Sequence, residues 1–222
     1  MRMKLVSAAI VVAIAALGSR ARADGDRYED QRAGHESAQS PAFVADVRMA
    51  TLVRSNSDYF RHADNFGFPV PTSALGVSLN VGAELLPRLS LVGTASYFGQ
   101  GATREGYAKL MVTSESLLIG GRYAFLRFDT APVLAQLEVT VAGGRYWLKE
   151  TFTDPLLSSQ TYTANGSSLG FALGLDASIH VGPFRTVVGY AYHYAPATIG
   201  NRIGGTTEAG GHEISFGFGV RL

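Results

Sequence analysis

The chain has 222 residues, 19 Lys plus Arg against 18 Asp plus Glu, and no Cys. The missing Cys excludes a disulfide framework and a thiolate metal centre, and the near-neutral balance leaves no broad basic field for nucleic acid. Its three lysines (Lys4, Lys109 and Lys149), beside 26 Gly, 10 Tyr and 12 Phe, do not describe a lysine-covered soluble shell.

Residues 1–23 have the layout of a secretory signal: Arg2 and Lys4, an apolar run over 5–17, and the small-residue site Ala21-Arg22-Ala23. The run is too short to cross a bilayer as a helix, and no later stretch reaches the roughly 20 apolar residues required. Without Arg2, Lys4, Arg20 and Arg22, the 19 Lys plus Arg fall to 15 against 18 Asp plus Glu, a formal charge of about −3. The remaining length suits one domain. Residues 24–42, which open DGDRYEDQRAGHESAQSP, are charged and aperiodic, and are expected to form a flexible periplasmic lead-in.

Residues 43–222 read as strands with period-two alternation. The first, 44–54, sets Ala45, Val47, Met49, Thr51 and Val53 against Asp46, Arg48, Ala50, Leu52 and Arg54. In the second, 75–85, Leu75, Val77, Leu79, Val81, Ala83 and Leu85 alternate with Gly76, Ser78, Asn80, Gly82 and Glu84. The third, 89–98, follows a tight return at Pro87-Arg88, and its facing is contested between Leu91 and Tyr97 on one side and Val92 and Phe98 on the other. The fourth covers 109–125, with Leu117, Ile119, Tyr123 and Phe125 outward. The fifth, 133–147, sets Val133, Leu137, Val139 and Val141 against Gln136, Glu138 and Thr140. In the sixth, up to 181, Leu169, Phe171, Leu173, Leu175 and Ile179 oppose Gly170, Gly174, Asp176, Ser178 and His180. Gly182-Pro183 turns the chain into the seventh, 184–194, because proline cannot donate to a ladder and glycine accepts unusual dihedrals. The eighth closes the chain, with Ile214, Phe216, Phe218, Val220 and Leu222 on one face and Glu213, Ser215, Gly217, Gly219 and Arg221 on the other.

Long polar connections over 56–71, 99–108, 149–167 and 195–211 alternate with short ones over 86–88, 126–132 and 182–183. The fold class expected is all-β: a closed, eight-stranded antiparallel transmembrane barrel with four long extracellular loops and three short periplasmic turns. A soluble ligand-binding barrel shares the periodicity, but turning the apolar face inward would leave Gly76, Ser78, Gly82, Gly120, Gly170 and Gly174 as a surface poor in lysine and glutamate. Strands of ten or more residues also match the roughly 9 to 11 needed by a tilted spanning strand.

With the signal segment, the four long and three short connections, and the final alternating strand, the chain resembles the small outer-membrane β-barrel proteins of the OmpA and OmpX type over roughly 44–222. The resemblance implies the outer membrane of a Gram-negative bacterium, surrounded by membrane lipids and lipopolysaccharide, as a monomer. That family commonly ends its assembly signal on a terminal aromatic, whereas this chain ends on Leu222 with Phe218 and Phe216 upstream. No peptidoglycan-binding domain is recognisable after the barrel, so cell-wall tethering is not implied.

The site-like constellation is the set of inward charges: Asp46, Arg48, Glu84, Arg122, Glu138, Asp176, His180, Arg185 and Arg221. A narrow barrel is filled by side chains, and charges inside it must be paired or watered. The expected result is a salt-bridge plug with Arg221 near Asp46; a narrow porin-like path for ions or small solutes through the same residues is the alternative.

No catalytic residue is expected, because the chemistry needs a His beside a Ser and a carboxylate. His193 points inward without a flanking Ser, His212 and Ser215 fall on opposite faces, and His35, His62 and His180 lie in the lead-in, the first loop and near the periplasmic end. Gly120-Gly121 and Gly143-Gly144 lack the helix and lysine of a phosphate loop and more simply relieve crowding or permit curvature. Glu208, His212 and Glu213 are split by a Gly-rich bend, so neither a metal nor a cofactor is expected.

Two aromatic belts are expected: Tyr97, Tyr146, Trp147, Tyr192 and Tyr194 at the extracellular side, and Tyr123, Phe125, Phe128 and Phe184 at the periplasmic side. Loop aromatics Tyr59, Phe60, Phe66, Phe68, Tyr107, Phe152 and Tyr162 either offer a surface to a protein or lipid ligand or pack over the barrel mouth. The functional expectation is a non-enzymatic barrel serving envelope structure or surface interaction.

Overall fold

The computed structural model describes residues 42–54, 58–65, 67–104, 108–154, 160–197, 199 and 208–222. The expected signal segment and almost all of the lead-in lie outside the described residues. Eight strands follow in chain order: β1 Phe43–Val53, β2 Ser73–Leu86, β3 Leu89–Arg104, β4 Ala108–Thr130, β5 Val133–Asp154, β6 Gln160–Val181, β7 Phe184–Tyr194 and β8 Gly211–Arg221. A helix, α1 Asp58–Asn65, stands between β1 and β2.

Each strand pairs antiparallel with the next, and β8 returns to β1 to close the barrel. The seam is laddered from Val44 opposite Arg221 to Val53 opposite His212, and the Phe43 and Leu222 main chains exchange hydrogen bonds of 2.9 and 2.8 Å. Closure gives every strand a partner on each side around the ring, which is a condition for β-structure in hydrocarbon.

The side-chain period decides what faces out. Met49, Leu75 and Leu169 are 76%, 73% and 78% exposed, whereas their inward neighbours Arg48, Ala74 and Ser168 are buried or half-buried. Exposed Leu, Val, Ile, Phe and Tyr recur on every strand, which is the inverse of a soluble barrel. The contested third strand resolves with Leu91 and Tyr97 out and Val92 and Phe98 in.

The short turns lie where expected. Val181 pairs with Phe184 around Gly182, whose φ of +58° is a left-handed conformation that favours glycine. The longer connections differ from the expectation. β3 and β4 remain paired out to Arg104 opposite Ala108, and β5 and β6 out to Asp154 opposite Gln160. The stretches 99–108 and 149–167 are therefore mostly ladder, because strand alternation continues there with polar residues facing outward in place of apolar ones. The polar stretch 56–71 contains α1, which turns Tyr59, Phe60 and Ala63 toward the interior.

Candidate functional site

The barrel interior divides into two layers. Toward the short-turn end, three arginines and three carboxylates form one connected network. Arg48 donates from Nε to Asp46 Oδ1 at 2.6 Å, and its Nη1 and Nη2 grip Asp176 at 2.8 and 3.0 Å. Arg185 donates from Nη1 to Asp46 Oδ2 at 2.6 Å and from Nη2 to Glu138. Arg122 lies 3.6 Å from Asp176 and donates to Thr140 at 3.2 Å. The formal charges cancel, as six ionised groups enclosed by a narrow barrel require. Asn80 donates to Asp46 at 3.0 Å, Thr94 to Asn80 at 2.7 Å, and Ser178 to Glu138 at 3.3 Å, so strands β1 to β7 all reach the network.

β8 contributes space. A Cβ at Gly217 would stand 2.6 Å from Arg48 Cγ, and one at Gly219 would stand 2.6 Å from Asp46 Cβ. The glycines opposite β1 therefore let its two charged side chains cross the lumen. Nearer the turns, Glu84 accepts from Arg221 at 2.6 Å and approaches Arg127 at 3.4 Å. This corrects the expected neighbour of Asp46. Arg221 stands opposite Val44 in the register, so it faces Glu84, and Arg48 and Arg185 take Asp46.

Toward the long-connection end an apolar cluster fills most of the interior. Tyr59, Phe60 and Ala63 of α1 join Phe68 and Val70 in one buried cluster with Leu110, Val112, Leu118 and Leu148. Of the two readings of the loop aromatics, these residues follow the one in which they fill the mouth. Tyr59 also donates to Glu150 at 2.5 Å, tying α1 to β5. Phe66 and Tyr107 lie outside the described residues.

Polar side chains line the junction of the two layers. His193 lies between Tyr146 and Glu213, with Nδ1 3.0 Å from the Tyr146 hydroxyl and Nε2 2.9 Å from Glu213. Tyr146 is thus an interior residue and not part of the aromatic belt: it shares the parity of Leu148, while its neighbour Trp147 faces outward. Just past β1, buried Arg54 donates to Gln100 at 3.2 Å, Ser114 at 3.0 Å and the Glu208 carbonyl at 2.8 Å. Burial pushes its guanidinium down to about 10, so it is still positive at neutral pH.

A cavity of ≈ 20 Å³ borders Arg122, Glu138, His180 and Arg185, and another of ≈ 10 Å³ borders Ser114, Tyr146 and His193. Each holds about one water at most. His212 faces outward, 2.7 Å from the Tyr190 hydroxyl, while Ser215 is buried on the other face; among the described residues no group of three His, Asp or Glu is arranged to hold a metal. Sequence reasoning missed the contact of Tyr146 with His193 because adjacent aromatics at 146 and 147 obscure which one belongs to the belt.

No family model matches the chain, and no curated protein matches it. Similarity to solved structures is confined to the fold. The outer membrane protein OprG from Pseudomonas aeruginosa aligns at TM-score 0.54 and 12% identity, over 82% of this chain and 96% of its own. Ail, the attachment invasion locus protein of Yersinia pestis, solved in complex with the heparin analogue sucrose octasulfate, aligns at 0.52 and 12%, over 82% and 99%. A major outer membrane protein from Thermus thermophilus aligns at 0.50 and 14%, over 82% and 100%. The chain has the architecture of the small outer-membrane barrels, and its exposed apolar band suits that location.

Proposed function

We propose that this chain is a monomeric, non-enzymatic outer-membrane barrel whose filled interior serves as scaffold, and whose long-connection end faces outside the cell for envelope structure or surface contact. The observation that carries the reading is the balanced arginine–carboxylate network across the lumen, stacked under the apolar cluster that α1 completes. A conducting path needs a continuous wet lining. Here Leu110, Val112, Leu118 and Leu148 fill one layer, and paired charges fill the other. Planar-bilayer recording tests the proposal: the purified protein is expected to show no steady single-channel steps. Large, reproducible steps would replace the plugged scaffold with the narrow porin-like alternative.

The placement of the histidines supports a non-enzymatic role. His193 is enclosed by Tyr146 and Glu213, and His212 stacks on Tyr190 on the outward face of β8, opposite to buried Ser215. We also propose the domain scheme expected from the sequence, with a signal over 1–23, a lead-in over 24–42 and the barrel over 43–222. Orientation has its own measurement. A cysteine at Asn65 in α1 should be labelled by an impermeant reagent on intact cells, and cysteines at Arg88 and Asp129 only after the outer membrane is opened. Equal labelling of Asn65 and Arg88 in intact cells would refute the orientation.

A further inference from the structure

Away from the short-turn end, the outward strand faces whose side chains are described are almost free of charge, and the exceptions share one place. Away from the short-turn end, the exposed formal charges on the described strand faces are Lys109, Glu115, Arg145 and Lys149, all on neighbouring β4 and β5. Lys109 and Lys149 are the two lysines that follow the expected signal segment. Level with Arg145 in the register and on either side of it, Leu117 and Leu169 are 59% and 78% exposed and mark the upper edge of the apolar band. Arg145 turns away from that edge: its guanidinium lies 5.8 Å from the centre of the Trp147 ring, and Nη2 donates to Ser167 at 3.1 Å. A cation just inside an apolar band takes this course to reach the headgroup layer.

Register gives the spacing. Lys149 follows Arg145 by four residues on β5, and Lys109 stands opposite Thr153, four residues further. At about 3.3 Å per residue the cations stand roughly 13 Å apart and extend roughly 26 Å along the strand, which is roughly 20 Å along the membrane normal for a strand tilted by about 40°. That reach exceeds the single phosphate layer of a glycerophospholipid. It fits a lipid whose phosphates are distributed along a sugar headgroup.

From this the geometry points to a binding site on the β4–β5 face, formed by Arg145, Lys149 and Lys109 around Trp147, for a phosphorylated glycolipid of the outer leaflet. The assignment rests on the membrane reading above and names the partner on one face of the barrel. Glu115, opposite Trp147, opposes the anion and limits affinity.

Trp147 is the sole tryptophan, so intrinsic fluorescence reports from within this site. Full-length protein in phosphatidylcholine nanodiscs, titrated with a phosphorylated rough lipopolysaccharide, should show a saturable emission change that weakens with added salt. Each cation removed should weaken apparent affinity roughly five-fold, so Arg145→Gln with Lys149→Gln should lower it roughly 25-fold, while Glu115→Gln tightens it. A response as strong with the dephosphorylated glycolipid, or in the double variant, overturns the site. So does a heparin fragment that saturates the same signal more tightly, because the face then takes a soluble sulfated polysaccharide. Heat-modifiability in the same nanodiscs separates the two levels. If it is retained without a lipid response, the site alone fails; if it is lost, the membrane reading fails with it.

Discussion

Arg185→Ala is expected to lower the unfolding midpoint of the barrel steeply, with a stability loss of roughly 3–5 kcal/mol, the cost of breaking a buried pair from one side. Arg185 is among the most deeply buried side chains and holds Asp46 and Glu138 together. Its removal leaves three carboxylates facing two arginines in a space that excludes bulk water. Asp176→Ala should cost a comparable amount with the opposite sign of excess charge, because it deprives Arg48 of two hydrogen bonds and Arg122 of its nearby carboxylate. Removing both members of a pair, as in Arg185→Leu with Glu138→Leu, should restore much of the loss, since Arg48 still satisfies Asp46. The shift from compact to unfolded mobility on unboiled gels, followed against temperature, provides the readout. Unchanged midpoints for Arg185→Ala and Asp176→Ala would show that the network does not hold the barrel together.

A second large effect is expected from two adjacent glycines. A Cβ at Gly120 would overlap the Val141 carbonyl oxygen and stand 2.5 Å from the Ala142 Cα, whereas one at Gly121 meets nothing within 4 Å. Gly120 lies on the interior parity of β4, where the curved wall brings the β5 backbone across the position a side chain would occupy; Gly121 faces outward. Gly120→Ala should therefore force the β4 and β5 backbones apart and cost at least the roughly 1–3 kcal/mol typical of overpacking. Gly121→Ala should fold like the parent. Refolding yield in detergent, measured as the heat-modifiable fraction, distinguishes them. Equal yields would mean that the two strands yield at this point. Gly144 has the same property against Leu117 and Leu118, while Gly143 is open except for the Gly170 carbonyl at 3.6 Å. In each pair, crowding explains one glycine and leaves the other without a steric requirement.

Strand number, facing and the β6–β7 turn were legible because they depend on local chemistry. Alternation is a property of one strand, and in a barrel bounded by hydrocarbon it states the facing directly. The terminal segment and the residues of β6 read correctly for that reason: Leu169, Phe171, Leu173 and Leu175 are exposed, while Asp176, Ser178 and His180 are buried. The inward charges were equally visible as a set, since each carries the wrong polarity for the lipid face.

Partner choice inside the barrel depended on how the strands assemble. Asp46 takes Arg48 and Arg185 while Glu84 takes Arg221, a division set by the pairing of β1 with β8 and by how far each guanidinium reaches across the lumen. Strand ends above the apolar band were misread as loops because polar residues can extend a ladder as well as leave it, and only the partner strand distinguishes the two outcomes. The same holds for α1, whose Tyr59, Phe60 and Ala63 become core only where Leu110, Val112 and Leu148 provide the opposing surface. Residue order was enough to say which faces meet lipid and which charges must be enclosed, because burial follows from the polarity of single residues. Which enclosed groups meet, and what fills the mouth, emerged only in the folded barrel, because those outcomes depend on register, reach and volume shared among segments far apart in the chain.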